Sequence, residues 1–483
     1  MPDGEAAGAV LSRAAHFPPV ATAEWEAAIA KDLKGADYQK KLIWRTDEGI
    51  PVRPYYRRED LAALQSGSNS QLESAPGEFP FLRGSGRPWE IQQEPYYRPT
   101  AIRADFLHEA GAHAVQELAY ALAEGVERLD ALAGTVGVDF AAGEIEFVFA
   151  VGPTYFMEIA KLRAARLLWA RAVAAFQPAS LESCAMKLHV RTSRRNKSVC
   201  DPYTNVLRAT TEAMAAAIGG CDTLTVEDFG FSPHLACSIQ YILREESHLD
   251  AVADPAGGSY YIEALTDALA GEAWKLFQKV EAEGGYTKAR ETGALEKALA
   301  ETCAARQKAI ASRRRTLVGV NHYPNPAEKA ATVEAPPANE RDPFRAVRLA
   351  EPFERIRQRT VRHAALTGRY PKVLLLQRGD VKMRMARANF SLNFFGCAGF
   401  DIAESEEYEG VAADLIVLCS SDAEYLPLGQ EVCSRTTAPV LVAGNPKEQI
   451  EALKAVGVQG FIHLASDAVQ TLTEWQTRLG MKE

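Results

Sequence analysis

The sequence predicts an α/β protein, an incomplete (β/α) barrel-like domain followed by a flavodoxin-like, doubly wound domain. Three observations carry that prediction. Over residues 147–228 the chain alternates strand and helix signals in equal units, and such units wound one way build a parallel sheet or barrel. Only four units are clear, with strands near 102, 147, 186 and 223, whereas a closed barrel needs eight. Beyond Tyr370 five apolar runs alternate with helical ones, the pattern of a doubly wound sheet.

Taken in order, residues 1–80 read as an N-terminal arm that wraps a partner. Ala21-Thr22-Ala23-Glu24-Trp25 is a helix entry with Thr22 as N-cap. Residues 38–44 and 50–56 are strand-like pieces parted by Thr46-Asp47-Glu48-Gly49, a hairpin signal. The polar tract 66–70 reads as mobile. Trp25, Trp44, Tyr55 and Tyr56 are more large rings than so short an arm can bury in a core of its own. They pack either on a partner subunit or on this chain's own barrel.

Residues 81–320 make the truncated barrel-like domain. Trp89-Glu90-Ile91-Gln92-Gln93 alternates like an edge strand, and 102–107 is the next strand. Helices follow over 112–132, 154–176, 202–218, 233–246, 260–283 and 295–315, between strands at 147–151, 186–191 and 223–226. A sheet with so few units has exposed edges that something must cover. Helices of this chain, the N-terminal arm or a partner are the candidates. Residues 321–368 are a linker, proline-rich at first and then helical and charged. Residues 369–483 carry the strands near 372, 399, 415, 439 and 460. Ligands of such sheets bind outside the strands' carboxyl ends.

The composition sets bounds. A net charge of −9 disfavours nucleic acid or an anionic membrane as partner. No apolar stretch reaches the roughly 18 residues of a membrane span, and the acidic start lacks a secretory n-region. The eight cysteines are scattered, with no C-x-x-C pair. That fits reduced thiols in a cytoplasmic protein and no metal site. Arg191, Arg194, Arg195 and Lys197 follow or end a strand. They read as a candidate anion clamp or as a solvated basic loop. His189 lies within that strand and reads as a satisfied core residue. Asp254-Pro255-Ala256-Gly257-Gly258 lacks the Gly-Lys-Ser/Thr of a phosphate loop and reads as a turn.

Several ordered stretches resemble the cobalamin-dependent methylmalonyl-CoA mutase family. They are 76–84 with Trp89-Glu90-Ile91-Gln92-Gln93, Glu109-Ala110-Gly111-Ala112, 156–166, Asp201-Pro202-Tyr203-Thr204-Asn205, Arg244-Glu245-Glu246-Ser247 with 254–260, and Gly396-Cys397-Ala398-Gly399-Phe400-Asp401. The resemblance implies that the C-terminal domain is of cobalamin-binding type. The family carries Asp-x-His-x-x-Gly there, with the histidine on cobalt. Here Lys382, Arg384 and Arg387 stand at those three positions. A guanidinium has no lone pair for a metal. The family's Tyr-His pair before Gln-Glu-Ala-Gly corresponds to Asp105 and Phe106, ahead of His108-Glu109-Ala110-Gly111. Its substrate-carboxylate arginine corresponds to Lys187, which lacks the bidentate fork. Barrel units expected between Trp89 and Ile102 are absent.

The resemblance with these departures implies a small, non-catalytic subunit with no cofactor of its own. It would serve a heterodimer whose large subunit holds adenosylcobalamin and interconverts (R)-methylmalonyl-CoA and succinyl-CoA. Two alternatives stay open: a homo-oligomeric protein, such as a homodimer, that binds acyl-CoA or another ligand, and an autonomous acyl-CoA mutase.

Overall fold

The computed structural model describes residues 20–65, 74–93, 97–325, 327–328, 344, 346–409 and 412–482. The polar tract 66–70 and most of the proline-rich stretch lie outside them. The chain separates into two compact units, Met1–Arg58 and Glu59–Glu483.

In the first unit the helix Thr22–Asp32 begins one residue earlier than its expected cap, with Ala21 at the N-cap and no side-chain bond there. Residues 38–41 are a helical turn, not a strand, because Asp37 caps it by accepting from the Lys40 amide at 3.2 Å. The hairpin is present, with β1 (Trp44–Arg45) antiparallel to β2 (Pro51–Val52). Trp25 stacks on Tyr55 at 5.4 Å, and the Arg57 guanidinium lies 5.1 Å over the indole. Trp25 and Trp44 remain 45% and 47% exposed, so this small unit leaves much of its aromatic surface open.

The second unit holds two parallel sheets. The first contains β3 (Glu90–Gln92), β4 (Ile102–Arg103), β5 (Glu146–Val151), β6 (Lys187–Thr192) and β7 (Thr223–Thr225). Their order is β3-β7-β6-β5-β4, all parallel. The expected strand over 102–107 is thus only two residues long. From Ala104 the chain is helical to Ala110, and Gly111 ends that helix in the left-handed region at φ 116°. There β4 and β3 are the two edges, and only the segment 93–101 separates them in sequence.

Because side chains alternate along a strand, the register assigns each face. Phe147, Phe149, Leu188, Val190 and Leu224 lie on one face, fully buried. The helices Ala114–Val136 and Tyr155–Ala175 pack there. Phe147 meets the Trp169 ring at 4.8 Å, and a Cβ on Gly125 would come within 2.7 Å of Phe147. The other face carries Arg103, His189, Arg191, Thr223 and Thr225. Tyr97 lies over it, 4.9 Å from the His189 ring and 4.2 Å from the Arg103 guanidinium.

Arg166 ties the turn-rich entry to this sheet. Its guanidinium donates to the carbonyls of Phe81, Leu82, Gly219 and Gly220. Arg163, three residues earlier, pairs with Asp254 and, at 2.7 Å, with Glu263. The loop at Asp254 is therefore held by an internal cation, in keeping with a turn.

The second sheet contains β8 (Lys372–Gln377), β9 (Asp401–Ser405), β10 (Leu415–Cys419), β11 (Val440–Ala443) and β12 (Val458–Ile462). Its order is β12-β11-β10-β8-β9, all parallel. The chain starts at β8, steps out to β9 and crosses back to β10, which creates one switch point in strand order. One core cluster of this sheet also takes in Ile310, Leu317 and Val320 from the end of the preceding region. No helix among the described residues is long and apolar enough to cross a membrane.

Candidate functional site

Parallel α/β sheets work at the carboxyl ends of their strands. At that end of the first sheet a ladder of charges runs across three strands. Arg103 chelates Asp105 through two bonds of 2.8 and 2.7 Å. Arg191 joins Asp105 at 2.9 Å to Glu227 at 2.8 Å. Arg194 adds a second cation to Glu227 at 2.6 Å. Burial works against the charge on Arg191, yet Glu227 and Asp105 outweigh it and hold its pKa above the ordinary arginine value. Phe106 is buried with Arg103 stacked 3.9 Å over its ring.

A second network lies beside it. His108 sits 3.2 Å from Glu117 through Nδ1 and 3.1 Å from the Ser193 hydroxyl through Nε2. Lys161 donates to Glu117 and to the Ala150 carbonyl, both at 2.7 Å, and pairs with Glu158 at 2.6 Å. Burial lowers the His108 pKa to about 3, helped by the Lys161 charge. Burial also raises Glu117 to about 7, against the pull of Lys161. Sequence reasoning missed this cluster. The signal available was Glu158 and Lys161 three apart at the start of a helix, a spacing that pairs on one face.

The basic turn is not a solvated loop. Arg195 and Lys197 are buried, and Arg191 nearly so. Lys197 pairs with Glu212 inside the fold. Arg195 donates to the carbonyls of Glu109 and Val347 at 3.3 and 3.2 Å. These groups face inward because the fold supplies a carboxylate or carbonyl to each. His189 is buried as expected, with Nε2 2.9 Å from Thr225 Oγ1. Lys187 lies at the opposite, amino end of β6, exposed, and reaches the Gly143 carbonyl.

The mouth itself is covered from within. The Val347 amide donates to the Glu109 carbonyl at 3.0 Å, and the Leu349 amide to the Arg195 carbonyl at 2.8 Å. Glu354 accepts from Ser198 Oγ, the Val199 amide and both terminal nitrogens of Arg348. The segment 346–354 thus seals the loops after β4 and β6.

At the carboxyl edge of the second sheet, Lys382, Arg384 and Arg387 open the helix Val381–Gly396. Arg384 pairs with Glu406 at 2.9 Å and Arg387 with Asp422 at 3.2 Å. Arg387 lies beside Gly444, where an added Cβ would sit 3.5 Å from its Cζ, in ordinary contact. His463, just after β12, has Nδ1 accepting from the Ala465 amide, and burial and the Arg387 charge lower its pKa. A guanidinium paired with Glu406 has no lone pair for a metal, so Arg384 does not fit as a cobalt ligand. Among the described residues no cluster of three His, Cys, Asp or Glu side chains could hold a metal ion.

Comparison with known proteins agrees with the residue patterns. A family model described as Methylmalonyl-CoA mutase matches residues 87–367. The chain belongs to the methylmalonyl-CoA mutase family. A relative from Porphyromonas gingivalis, named methylmalonyl-CoA mutase small subunit, is 32% identical over 620 residues, covering 97% of this chain and 98% of the relative. That alignment is longer than this whole chain, so the relative carries sequence that this mutase-family member lacks. A small subunit from Streptomyces virginiae is 35% identical, over 81% of this chain and 66% of its own. A methylmalonyl-CoA mutase from Cereibacter sphaeroides is 43% identical, but over 48% of this chain and 34% of its own.

Proposed function

We propose that this chain is the non-catalytic small subunit of a two-chain, adenosylcobalamin-dependent methylmalonyl-CoA mutase. It stabilises a large subunit that holds the cofactor and interconverts (R)-methylmalonyl-CoA and succinyl-CoA. The observation that carries the reading is the mouth of the first sheet. Asp105, Arg191, Glu227 and Arg194 neutralise one another there, and 346–354 closes over the loops. An acyl-CoA would have to displace a buried, internally paired charge network, and leaving any of those charges unpaired is costly.

Two further features support the reading. The first sheet has five parallel strands, and among the described residues no further strand pairs with its edges β3 and β4, so a full (β/α) enclosure around a radical intermediate has no counterpart in them. The order of the second sheet, 2-1-3-4-5 in chain numbering of its own strands, matches the flavodoxin-like arrangement. The cobalamin-type domain is then retained as scaffold while the cofactor stays with the partner. The aromatic surface of the first unit, Trp25 and Trp44, suits a contact with that partner.

The test is co-expression with a large mutase chain, followed by affinity capture of this chain and absorbance spectroscopy. A stable complex is expected, with the corrinoid spectrum appearing only when the large chain is present. Turnover of (R)-methylmalonyl-CoA by this chain alone with added adenosylcobalamin would overturn the proposal.

A further inference from the structure

A cavity of about 550 Å³ opens between the helices Glu351–Thr367 and Ala468–Arg478. It shares no residue with the charge ladder at the mouth or with the Arg384–Arg387 edge. Three arginines line it, Arg355, Arg359 and Arg362, and no carboxylate does. Their spacing of four and three residues sets them on one helix face. In a chain of net charge −9, such a cationic concavity is against the trend of the molecule.

Among the described residues few carboxylates stand against these charges. Arg359 is 9% exposed. It donates to the carbonyls of Met481, Lys482 and Thr473 and to Thr477 Oγ1. All four acceptors are neutral, and among the described residues no carboxylate pairs with this guanidinium. Arg362 has no ion pair among them either. Arg355 is largely exposed and reaches only Glu351, at the limiting distance of 4.0 Å. The carbonyls at the end of helix Ala468–Arg478 satisfy Arg359, which leaves the two exposed guanidinium groups beside it, on Arg355 and Arg362, to meet an anion.

A second, independent observation lies in the same wall. Gln476 is fully buried. Its amide nitrogen donates to the Ile356 carbonyl at 2.7 Å and contacts Thr360 Oγ1 at 2.8 Å, which fixes its orientation. Its carbonyl oxygen Oε1 has no partner. Leaving a buried acceptor unmet is costly, and a small opening of this wall to a ligand's N–H or O–H would relieve it. Ile356 and Val469 supply an apolar surface beside it.

We propose that this cavity binds a phosphate-bearing small molecule of nucleotide size, its phosphate held by the exposed guanidinium groups of Arg355 and Arg362 and a donor group on the Gln476 carbonyl. The planar fork of arginine matches phosphate oxygens, and the volume is that of an ordinary small-molecule site. The inference is independent of the subunit assignment, since it concerns groups that the mutase reading leaves unused.

The experiment is isothermal titration of the full-length chain with inorganic pyrophosphate, ADP and coenzyme A, each at low ionic strength. Saturable binding of at least one probe is expected. The variant Arg355→Ala/Arg362→Ala should weaken it about tenfold or more, with an unchanged melting temperature because both side chains are exposed. Equal binding of pyrophosphate and ADP would assign recognition to the phosphates. Binding of ADP or coenzyme A alone would assign part of it to the apolar wall. Either supports the site. Absence of binding by all three probes, or equal affinity in the double variant, overturns it. So does loss of association with a large mutase chain in the double variant when no probe binds, which would make the cavity a protein contact.

Discussion

Replacing His108 with glutamine should change how stability responds to pH, and the two buried neighbours set the size of the effect. Glu117, raised to about 7, keeps its proton in the folded chain where the unfolded carboxyl, near its ordinary 4.5, has lost it. That contribution stabilises the fold as pH falls from about 7 to 4.5. His108, lowered to about 3, stays unprotonated in the folded chain where the unfolded imidazole gains a proton below its ordinary 6.5. Its contribution is lost as pH falls from 6.5 to 3. Between about 4.5 and 6.5 the folded chain carries one proton, on Glu117, and the unfolded chain one, on His108. The two effects cancel there, and the parent should show a flat contribution from this pair. His108→Gln removes one of them. The variant should then gain about 1.4 kcal/mol for each unit of falling pH, roughly 3 kcal/mol across the window, relative to the parent. Glutamine offers a donor and an acceptor of similar reach to the imidazole's, so the fold should tolerate it. Urea unfolding of both proteins at a series of pH values measures the difference. Parallel curves for the two proteins from pH 6.5 to 4.5 would refute the assignment of opposed protons to this cluster.

Two further outcomes can be checked by thermal or urea unfolding. Lys161→Met leaves Glu117 and Glu158 buried without their shared cation. It should cost about 3–5 kcal/mol at pH 7.5, the usual penalty for breaking a buried pair from one side; a loss under 1 kcal/mol would mean that water reaches the cluster. Gly111→Ala forces a side chain onto a backbone at φ 116° and brings its Cβ to 2.7 Å from Cys303 Cβ. It should cost about 3 kcal/mol or more, whereas Gly134→Ala, in the open on a helix, should cost nothing and can add a few tenths through helix propensity.

Much of the fold was legible because long helices advertise themselves. The helix expected over 202–218 is Pro202–Ile218, and those expected over 154–176 and 260–283 fall within a residue of the observed ends. Short elements were harder. Ile102–Leu107 looks like a strand by composition, yet two residues suffice for an edge and Gly111 then lets a helix close. Tyr38–Lys41 turns on a single Asp37 cap that apolar content does not reveal. At the site, Asp105, Phe106, Lys187 and Arg384 could be singled out in the sequence through the resemblance. Their partners could not. Glu227 reaches Arg191 and Arg194 from the loop after β7, and Glu354 reaches Ser198 and Val199 from beyond the proline-rich stretch. Basic residues in a turn look solvated until such distant carboxylates are placed.

The apolar cluster beneath the second sheet draws Ile310, Leu317 and Val320 from upstream of the proline-rich stretch and Leu349, Phe353 and Trp475 from downstream of it. Cutting the gene at that stretch, as its composition invites, would therefore not yield two independent modules. Each fragment would leave with a hole on one side and a greasy plug on the other. The portion from Glu59 onward should be inherited, expressed and degraded as a single piece.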